Sequence, residues 1–543
     1  MAPISDLPDE ILQLILHYVP PEDTLRNIQR VCRRLTRVSN EPLLWRYHCH
    51  VQFKYWDPKH RIGQKFKGSV VNVDWKKLYL YRQNVESQTT SALNGILDTQ
   101  TSRIQKYEHI NKFGYDAKDT LLRHCLADDA AEDVLARRYY STSVLDHIHR
   151  AKALEEWWNL SQGFHVPLER ALGAFDMFII HDQHGDLVEI SDLFDGLASK
   201  IRQDHPNVDE LSPRHRALAI AHFLKEHDLT GINHHYQYRD LQNNYIGIAL
   251  QDPEHPSLPL ISVAIFCSLA QRFGLDAHCC GFPSHVHAVV YIPPSGYVHS
   301  TSNEPAEPSP IYLDPWRTDV EVPIEHLRTQ LIAYGIRQAD FSRFLGATST
   351  AAILLRTSRN ILATVHEFRG LDGGTDNTGH PTIRLHANPF ADMDNAFYSA
   401  LWANFLLHSP SFMRADPVDQ IQFTPMILER FERLYPMDAA LIERYVCPPT
   451  RSMAAIDHWE LFETLRVVRV GDSMPKQVRL RDSVSSGDKV KHKIGQVFRH
   501  RRYAYTAIIT GWDVECSMNS EWMQHNRIDT LDNGRHQSFY HAL

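Results

Sequence analysis

One central stretch of the sequence decides how the rest of the chain can be organised. Residues 257–296 read SLPLISVAIFCSLAQRFGLDAHCCGFPSHVHAVVYIPPSG, and after a polar insert the chain resumes as IYLDPW at residues 311–316. An apolar segment of helical length starts at Pro259, and Gly274 marks the turn that ends it. Two β-type segments follow, the second with histidines at alternate positions, and a last one carries Asp314. This order predicts a helix packed on a small sheet.

Length and composition indicate a multidomain globular protein. The chain has 543 residues, too many for one ordinary core, and about three to four domains are expected. Apolar residues make up 43% and charged residues 22%, and the net charge of −8 indicates no particular partner. The longest mainly apolar run is too short to cross a bilayer, and the N-terminus has no signal-peptide core. We therefore expect no membrane partner and a location in the cytoplasm or nucleus.

The cysteines and histidines form no recognisable metal motif. Eight cysteines are scattered without a CxxC pair, which favours free thiols in a reducing compartment. None of the 33 histidines stands in HExxH or a similar ligand spacing. The sequence therefore predicts neither a metal site nor a cofactor.

The first 50 residues predict a small bundle of short helices. Pro8 suits the first position of a helix, and the acidic residues beside it favour the positive end of the helix dipole. Apolar residues at helical spacing follow until Pro20 and Pro21 stop the helix. So short a bundle buries little surface by itself, and we expect it to gain from a partner.

This segment resembles the F-box. It has the opening Leu-Pro-x-Glu-Ile-Leu at residues 7–12, the middle Val-Cys-Arg-Arg-Leu at 31–35 and the closing Leu-Trp-Arg at 44–46. The resemblance implies a module without chemistry of its own that docks on the Skp-family adaptor of a cullin-RING ubiquitin ligase. The apolar residues expected to contact the adaptor are Leu7, Pro8, Ile11, Leu12, Ile15, Leu16, Leu44 and Trp45.

Helical patterns fill most of the remaining chain and give a multidomain α+β class. The expected order is an F-box bundle (1–50), a helical linker region (51–150), an α+β core with its preceding helices (151–330), a helical extension (331–475) and a small C-terminal β unit (490–543). Paired helices of the kind seen in the extension most often serve as scaffold.

The α+β core resembles the SirB-type transglutaminase-like family. The family's elements correspond to Phe223, Gly231, Asn233, Tyr236 or Tyr238 and Asn243 to Tyr245, to Pro259-Leu260-Ile261-Ser262, to Gly281-Phe282-Pro283-Ser284-His285, and to Leu313-Asp314-Pro315-Trp316. Transglutaminase-type thiol enzymes carry Cys on the helix, His on one strand and Asp on the next. The resemblance therefore raises the question of catalysis.

The position of the expected nucleophile has no cysteine. A reactive thiol gains from a helix N-terminus and a nearby His, whereas Cys267 falls in mid-helix. Cys279 and Cys280 lie on the following strand. Ser262 is close to the helix start but would need activation by a histidine in demanding geometry.

The histidine and aspartate of such a site are present. His285 and His287 share one face of a strand, so either could meet Asp314. We expect a hydrogen-bonded structural pair in a core kept for shape and recognition. The alternative is a hydrolase or acyltransferase that uses His287 and Asp314 with Ser262 or a cysteine.

The C-terminal segment resembles the YccV-like module, also called the hemimethylated-DNA-binding domain. It carries Gly-x-Val from residue 495, Arg-His-Arg-x-Tyr at 499–503 and Ile-Ile-x-Gly-Trp-Asp at 508–513. The resemblance implies a small antiparallel β-barrel, and an incomplete one, since members normally continue past Phe-Tyr-His. Basic and aromatic side chains can hold phosphates and stack on bases, so the candidate ligand- or DNA-binding residues are Arg499, His500, Arg501, Arg502, Tyr503 and Trp512.

The three modules in this order resemble F-box proteins of the F-box only protein 21 type. The resemblance implies a substrate-recognition subunit of a Skp–cullin–F-box ubiquitin ligase that is not itself an enzyme. Its transglutaminase-like and YccV-like domains would present surfaces to an unidentified protein substrate. The alternative in another class is a DNA-associated protein that acts through residues 490–543.

Overall fold

The described residues form two compact units. A computed structural model describes residues 7–232, 238–293, 308–372, 392–407, 418–447, 455–475, 490–501, 504–516, 518 and 520–542. The units are Met1–Met474 and Pro475–Leu543. Helices dominate, with one four-stranded and one three-stranded antiparallel sheet, which confirms the multidomain α+β class. Among the described helices, none has the length and hydrophobicity that a bilayer crossing requires.

The N-terminal bundle consists of four short helices. They are α1 (Asp9–Leu16), α2 (Pro21–Arg26), α3 (Arg33–Val38) and α4 (Pro42–Gln52). Proline opens both α2 and α4, where its missing N–H costs no helical hydrogen bond. Ion pairs from Asp9 to Arg34 (2.7 Å) and Arg37 (2.6 Å) tie α1 to α3. The bundle core is small, since it contains four buried apolar side chains: Leu12, Leu16, Val38 and Leu44.

The bundle is joined to the next helices through a second apolar cluster. These helices are α5 (Ile62–Lys67), α6 (Trp75–Asp98), α7 (Arg103–Asn111), α8 (Lys118–Cys125) and α9 (Val134–Ser161). The indole of Trp45 lies against the ring of Tyr79, with centroids 5.1 Å apart. Arg82 is buried, and its guanidinium lies over Phe53 (4.5 Å) and pairs with Asp119 (2.9 Å). The last helix of the bundle therefore shares an apolar core with α6.

The α+β core combines five helices with the four-stranded sheet. Its elements are α10 (Leu168–Asp176), α11 (Leu187–Asp204), α12 (Pro213–Glu226), α13 (Ile246–Gln251), α14 (Pro259–Arg272), β1 (Asp276–Cys279), β2 (Ala288–Ile292), β3 (Ser309–Leu313) and β4 (Glu321–Val322). The strand order is β1-β2-β3-β4, with Ala288 opposite both Cys279 and Leu313. Residues 259–270 of α14 are all buried. The predicted order of helix and strands is confirmed.

The helices that follow belong to two apolar clusters. They are α15 (Ile324–Ala333), α16 (Phe341–Leu345), α17 (Thr350–Asp372), α18 (Met393–Leu407), α19 (Val418–Leu434), α20 (Ala439–Tyr445) and α21 (Ala455–Ser473). Of these, α17 to α21 complete the same core, and α15 and α16 pack in a smaller cluster with Phe282, Val289 and Tyr312. Helix α18 is buried from Ala396 to Leu407, and its Tyr398 stacks on Tyr435 at 4.0 Å. Buried Asp438 accepts hydrogen bonds from Arg150 at 2.8 Å, which links the start of α20 to α9.

The C-terminal unit is a three-stranded antiparallel sheet. Its elements are β5 (Val497–Arg499), β6 (Thr506–Asp513), α22 (Ser520–His525) and β7 (Phe539–Ala542), with β6 in the middle of the sheet. Alternate residues of β6, among them Ala507 and Ile509, face inward. The expected barrel is therefore corrected, because the strands that the structure describes form an open sheet with two edges.

Candidate functional site

A cluster of polar side chains lies at one end of the four-stranded sheet. Asp314 directly follows β3, and His285 and His287 precede β2. The register explains their proximity, because the pair Ala288–Leu313 leaves His287 and Asp314 as the next residues of two antiparallel strands. Both histidines lie in the turn and not on the strand, which differs from the predicted alternation.

The histidine that bonds to Asp314 is His285. Its Nε2 lies 2.8 Å from Asp314 Oδ2. His287 Nδ1 lies 3.1 Å from the His285 carbonyl oxygen. Of the two histidines that could meet Asp314, His285 is therefore the one that forms the hydrogen bond. The turn immediately before His285 contains Ser284, which has the left-handed backbone angle φ 62°.

Burial and neighbouring charges set the protonation of these groups. Burial lowers the pKa of His287 to about 4, although Asp314 opposes the shift. Burial acts to raise the pKa of Asp314, but the hydrogen bond from His285 and the charges of His285, His287 and Arg317 together outweigh burial, and the pKa is lowered. Near neutral pH the cluster therefore holds a neutral His287 beside an ionised Asp314.

Ser262 is not placed to act as a nucleophile. It is fully buried on α14, and its Oγ lies 2.7 Å from Ser257 Oγ. Ser257 is in turn bonded to the backbone of Gly231, with N to O at 2.7 Å. This chain of bonds ties the start of α14 to the turn after α12. The hydroxyl of Ser262 thus serves packing, because a substrate has no access to it.

The cysteines near the cluster are not activated either. Cys267 is buried in the middle of α14, and burial raises its pKa well above the usual range. Cys280 follows β1, and burial raises its pKa to about 11. A buried, protonated thiol is a poor nucleophile. Among the described residues at this end of the sheet, a histidine and an aspartate are thus present, but no activated thiol lies beside them.

The residues predicted to contact an adaptor fall into two groups. Leu12, Leu16, Leu44 and Trp45 are buried, which corrects their assignment, since their side chains hold the bundle together and cannot reach a partner. Leu7 is half-buried and Pro8 is exposed. Ile11 and Ile15 are exposed, at 43% and 41% of their surface.

Further apolar residues of the bundle are exposed and enlarge the apolar surface around Ile11 and Ile15. The sequence prediction did not include them among the adaptor-binding residues. They are Leu14 (55% exposed), Tyr18 (84%), Val31 (70%) and Leu43 (56%). The signal was present, because Ile11, Leu14, Ile15 and Tyr18 have the spacing i, i+3, i+4, i+7 of one helix face. Helix α1 thus carries two apolar faces, one inward and one outward.

An apolar groove lies on the same bundle. It has a volume of about 430 Å³ and is lined by His17, Leu43, Arg46, Tyr47, His50 and Phe66. The His17 and Tyr47 rings lie 4.3 Å apart, and the Arg46 guanidinium lies 6.0 Å from the Phe66 ring. We call Ile11, Leu14, Ile15, Tyr18 and Leu43 the outward face; Leu43 joins it to the groove.

The candidate ligand- or DNA-binding residues of the C-terminal unit differ in how exposed they are. Trp512 is buried on β6, which corrects its assignment as a stacking platform, since its indole faces the interior of the unit. Arg501 is exposed, and Arg499 Nε donates to the Ala504 carbonyl at 3.3 Å. His500 stacks on Tyr505 at 4.8 Å. Arg502 and Tyr503 lie outside the described residues.

Comparisons with protein families identify three separate regions. Residues 4–51 match the F-box-like family, residues 189–359 the transglutaminase-like superfamily, and residues 490–543 the family described as hemimethylated DNA-binding protein YccV like. The three resemblances drawn from the sequence are therefore confirmed. The chain carries an F-box-like, a transglutaminase-like and a YccV-like domain.

Curated relatives match a short part of the chain. F-box only protein 21 of Mus musculus is 36% identical over 77 residues, which cover 14% of this chain and 12% of the relative. F-box only protein 21 of Homo sapiens is 35% identical over 77 residues, with the same coverage. The match thus spans about an eighth of the length of these relatives. No solved structure is significantly similar to the chain.

Proposed function

We propose that this protein is the substrate-recognition subunit of a Skp–cullin–F-box ubiquitin ligase, in the cytoplasm or nucleus. The observation that carries the proposal is the outward face of the N-terminal bundle. A soluble helix normally turns its apolar residues inward, yet Ile11, Leu14, Ile15 and Tyr18 are all more than 40% exposed. Covering such a face with a partner is favourable, because it removes apolar surface from water.

The partner that fits this surface is an adaptor of the Skp family. The F-box-like match covers the whole bundle, and the relatives that match part of the chain are named F-box proteins. Leu43, at the start of α4, continues the apolar surface toward the groove of about 430 Å³. A flat apolar face beside a groove suits the insertion of side chains from a folded partner.

Adaptor docking leaves the other domains to recognise substrate. Catalysis by the transglutaminase-like domain has little support, because Ser262 and Cys267 are both buried away from solvent. We infer that this domain and the YccV-like domain present surfaces to a protein substrate. Ubiquitin transfer would then be performed by the conjugating enzyme on the cullin-RING part of the complex.

Introducing a charged residue on the outward face and measuring adaptor binding tests the proposal. Leu14→Asp and Ile15→Asp are expected to weaken binding of the full chain to an immobilised Skp-family adaptor at least tenfold each. Losing the burial of one aliphatic side chain costs about 1.5–3 kcal/mol, and every 1.4 kcal/mol is about tenfold in Kd. Leu12→Asp is unsuitable, since Leu12 is 5% exposed and the charge would disrupt the bundle core.

A matched control comes from an exposed leucine elsewhere on the protein. Leu135, near the start of α9, is 78% exposed, and Leu135→Asp introduces the same charge on the same type of residue. Its adaptor binding should equal that of the wild type. Unchanged binding by both outward-face variants would overturn the proposal.

A further inference from the structure

Three side chains at the end of the sheet direct metal-binding atoms into one small volume. One ligand atom each from His285, His287 and Asp314 lies within 4.8 Å of the other two. His287 and Asp314 are buried, and His285 is partly exposed. Two imidazoles and a carboxylate are the ligand types that Zn²⁺ and similar divalent cations take in proteins.

The carboxylate of Asp314 has an oxygen without a partner. Its Oδ2 is bonded to His285, but its Oδ1 is buried and has no hydrogen-bond partner among the described residues. An ionised carboxylate oxygen in an apolar environment is costly unless a donor or a cation faces it. A cation between the carboxylate and the imidazoles would remove this cost.

The orientation of His287 is the one that metal ligands have. A carbonyl oxygen can only accept, so the 3.1 Å contact with the His285 carbonyl assigns the proton of the neutral His287 ring to Nδ1. The lone pair then lies on Nε2. A backbone carbonyl that fixes the tautomer in this way is a common outer partner of metal-binding histidines.

The contact between His285 and Asp314 needs only a small adjustment to admit a metal ion. Two ligand atoms about 2.0–2.1 Å from a tetrahedral metal lie roughly 3.3 Å apart. His285 Nε2 and Asp314 Oδ2 are 2.8 Å apart, so they would separate by about half an ångström as the metal replaces the shared proton. Arg317 Nε lies 3.9 Å from Asp314 Oδ2 and its charge opposes a cation there, but the Arg317 side chain is 57% exposed and can turn into solvent.

We propose that His285, His287 and Asp314 bind one divalent cation of the zinc class, with a fourth position left to water or a ligand. The site has no sequence motif, because its ligands come from a turn before β2 and from the residue after β3. The proposal is independent of adaptor docking, which uses the N-terminal bundle. Variants at the cluster should therefore bind the adaptor normally.

The test titrates the full chain, first stripped of metal by a chelator, with Zn²⁺ against a chromophoric competitor. The wild type should bind one equivalent at least tenfold more tightly than Asp314→Asn and His287→Ala. Co²⁺ in place of Zn²⁺ should give a visible spectrum without a sulfur-to-metal charge-transfer band, since the ligands are nitrogen and oxygen. Equal Zn²⁺ affinity in all three proteins, or a thiolate band, would overturn the proposal.

A second His–Asp pair on the same sheet provides the control. On β1, His278 Nε2 lies 2.7 Å from Asp276 Oδ1, and both side chains are exposed. His278→Ala should leave the tight site intact. If a cluster variant fails to fold, chemical modification of histidines in the wild type serves as the test instead: Zn²⁺ should protect the partly exposed His285 but not His278. Equal protection of His285 and His278 would also reject the site.

Discussion

Oδ1 of Asp176 lies 2.9 Å from the backbone nitrogen of Gly247 and caps the first turn of α13 from the last residue of α10. It also accepts from Ile248 N at 3.2 Å. The approach is possible because residue 247 has no side chain: a Cβ there would lie 2.5 Å from the carboxylate oxygen. The contact therefore fixes α13, and with it the chain that leads to α14.

Gly247→Ala should destabilise the protein markedly. The added methyl group must displace either the carboxylate or α13, at a cost of about 1–3 kcal/mol of the free energy of unfolding. Gly196→Ala is the control, since Gly196 lies within α11 and a Cβ added there would have no atom within 4 Å. That change should stabilise by up to about 1 kcal/mol. Equal chemical denaturation midpoints would contradict the prediction.

Asp176 should make stability fall as pH rises. Burial raises its pKa to about 8 despite the bonds from Gly247 and Ile248. The folded state thus binds more protons than the unfolded one between about pH 4 and pH 8, and the free energy of unfolding decreases by up to roughly 1.4 kcal/mol per pH unit. Asp176→Asn should flatten this slope in denaturation curves at pH 5, 6 and 7. An unchanged slope would show that Asp176 does not titrate there.

His181 should contribute stability that is lost at alkaline pH. Its Nδ1 and Nε2 lie 3.0 Å and 2.9 Å from Asp146 and Asp392, and the hydrogen bonds with these carboxylates raise its pKa to about 10. The contribution is complete below the unfolded pKa of about 6.5 and disappears toward pH 10. His181→Gln should therefore cost on the order of 2 kcal/mol at pH 6 and little at pH 10.

Thermal unfolding of both proteins across this pH range measures the difference. His222 is a suitable control, because it also pairs with a carboxylate, Asp319 at 2.8 Å, but at an exposed position. His222→Gln should have little effect at any pH. A pH-independent loss in His181→Gln would indicate a packing role in place of an ionic one.

Ser284→Gly should stabilise the turn that shapes the polar cluster. Ser284 is exposed and has φ 62°, a conformation that costs a residue with a Cβ about 1–2 kcal/mol. Glycine removes this strain but gains freedom in the unfolded chain, so we expect a net gain of roughly 0.5–1 kcal/mol. Ser284→Ala keeps the Cβ and should give no gain. A gain with alanine would point to the hydroxyl group instead.

Much of the central fold could be predicted because its signals are local. The apolar run from Pro259 forms a helix whose described bounds are Pro259–Arg272, and Gly274, with φ 72°, ends the turn beyond it. The strand order also follows the sequence. Periodicity and turn residues act within a few positions along the chain, and the sequence displays them directly.

The pairing of side chains within the site could not be predicted in the same way. Strand alternation made His285 and His287 equivalent, whereas in the structure both precede β2 and the hydrogen bond to Asp314 comes from His285. On α1, sequence periodicity does not say which of two apolar faces turns inward. That choice depends on where Val38 of α3 and Leu44 of α4 pack against α1. Both outcomes are set by long-range packing.

The shared core of the F-box-like bundle and α6 has a geometric consequence for ubiquitination. Trp45 rests on Tyr79, and beyond it the Tyr55 hydroxyl donates to Glu189 Oε1, 3.3 Å away on α11 of the transglutaminase-like domain. Under the proposed function, an adaptor held by the bundle would be connected to that domain through packed side chains. Such a receptor would select lysines by their distance and direction from the docking surface, so the architecture of the receptor would decide which lysine is modified.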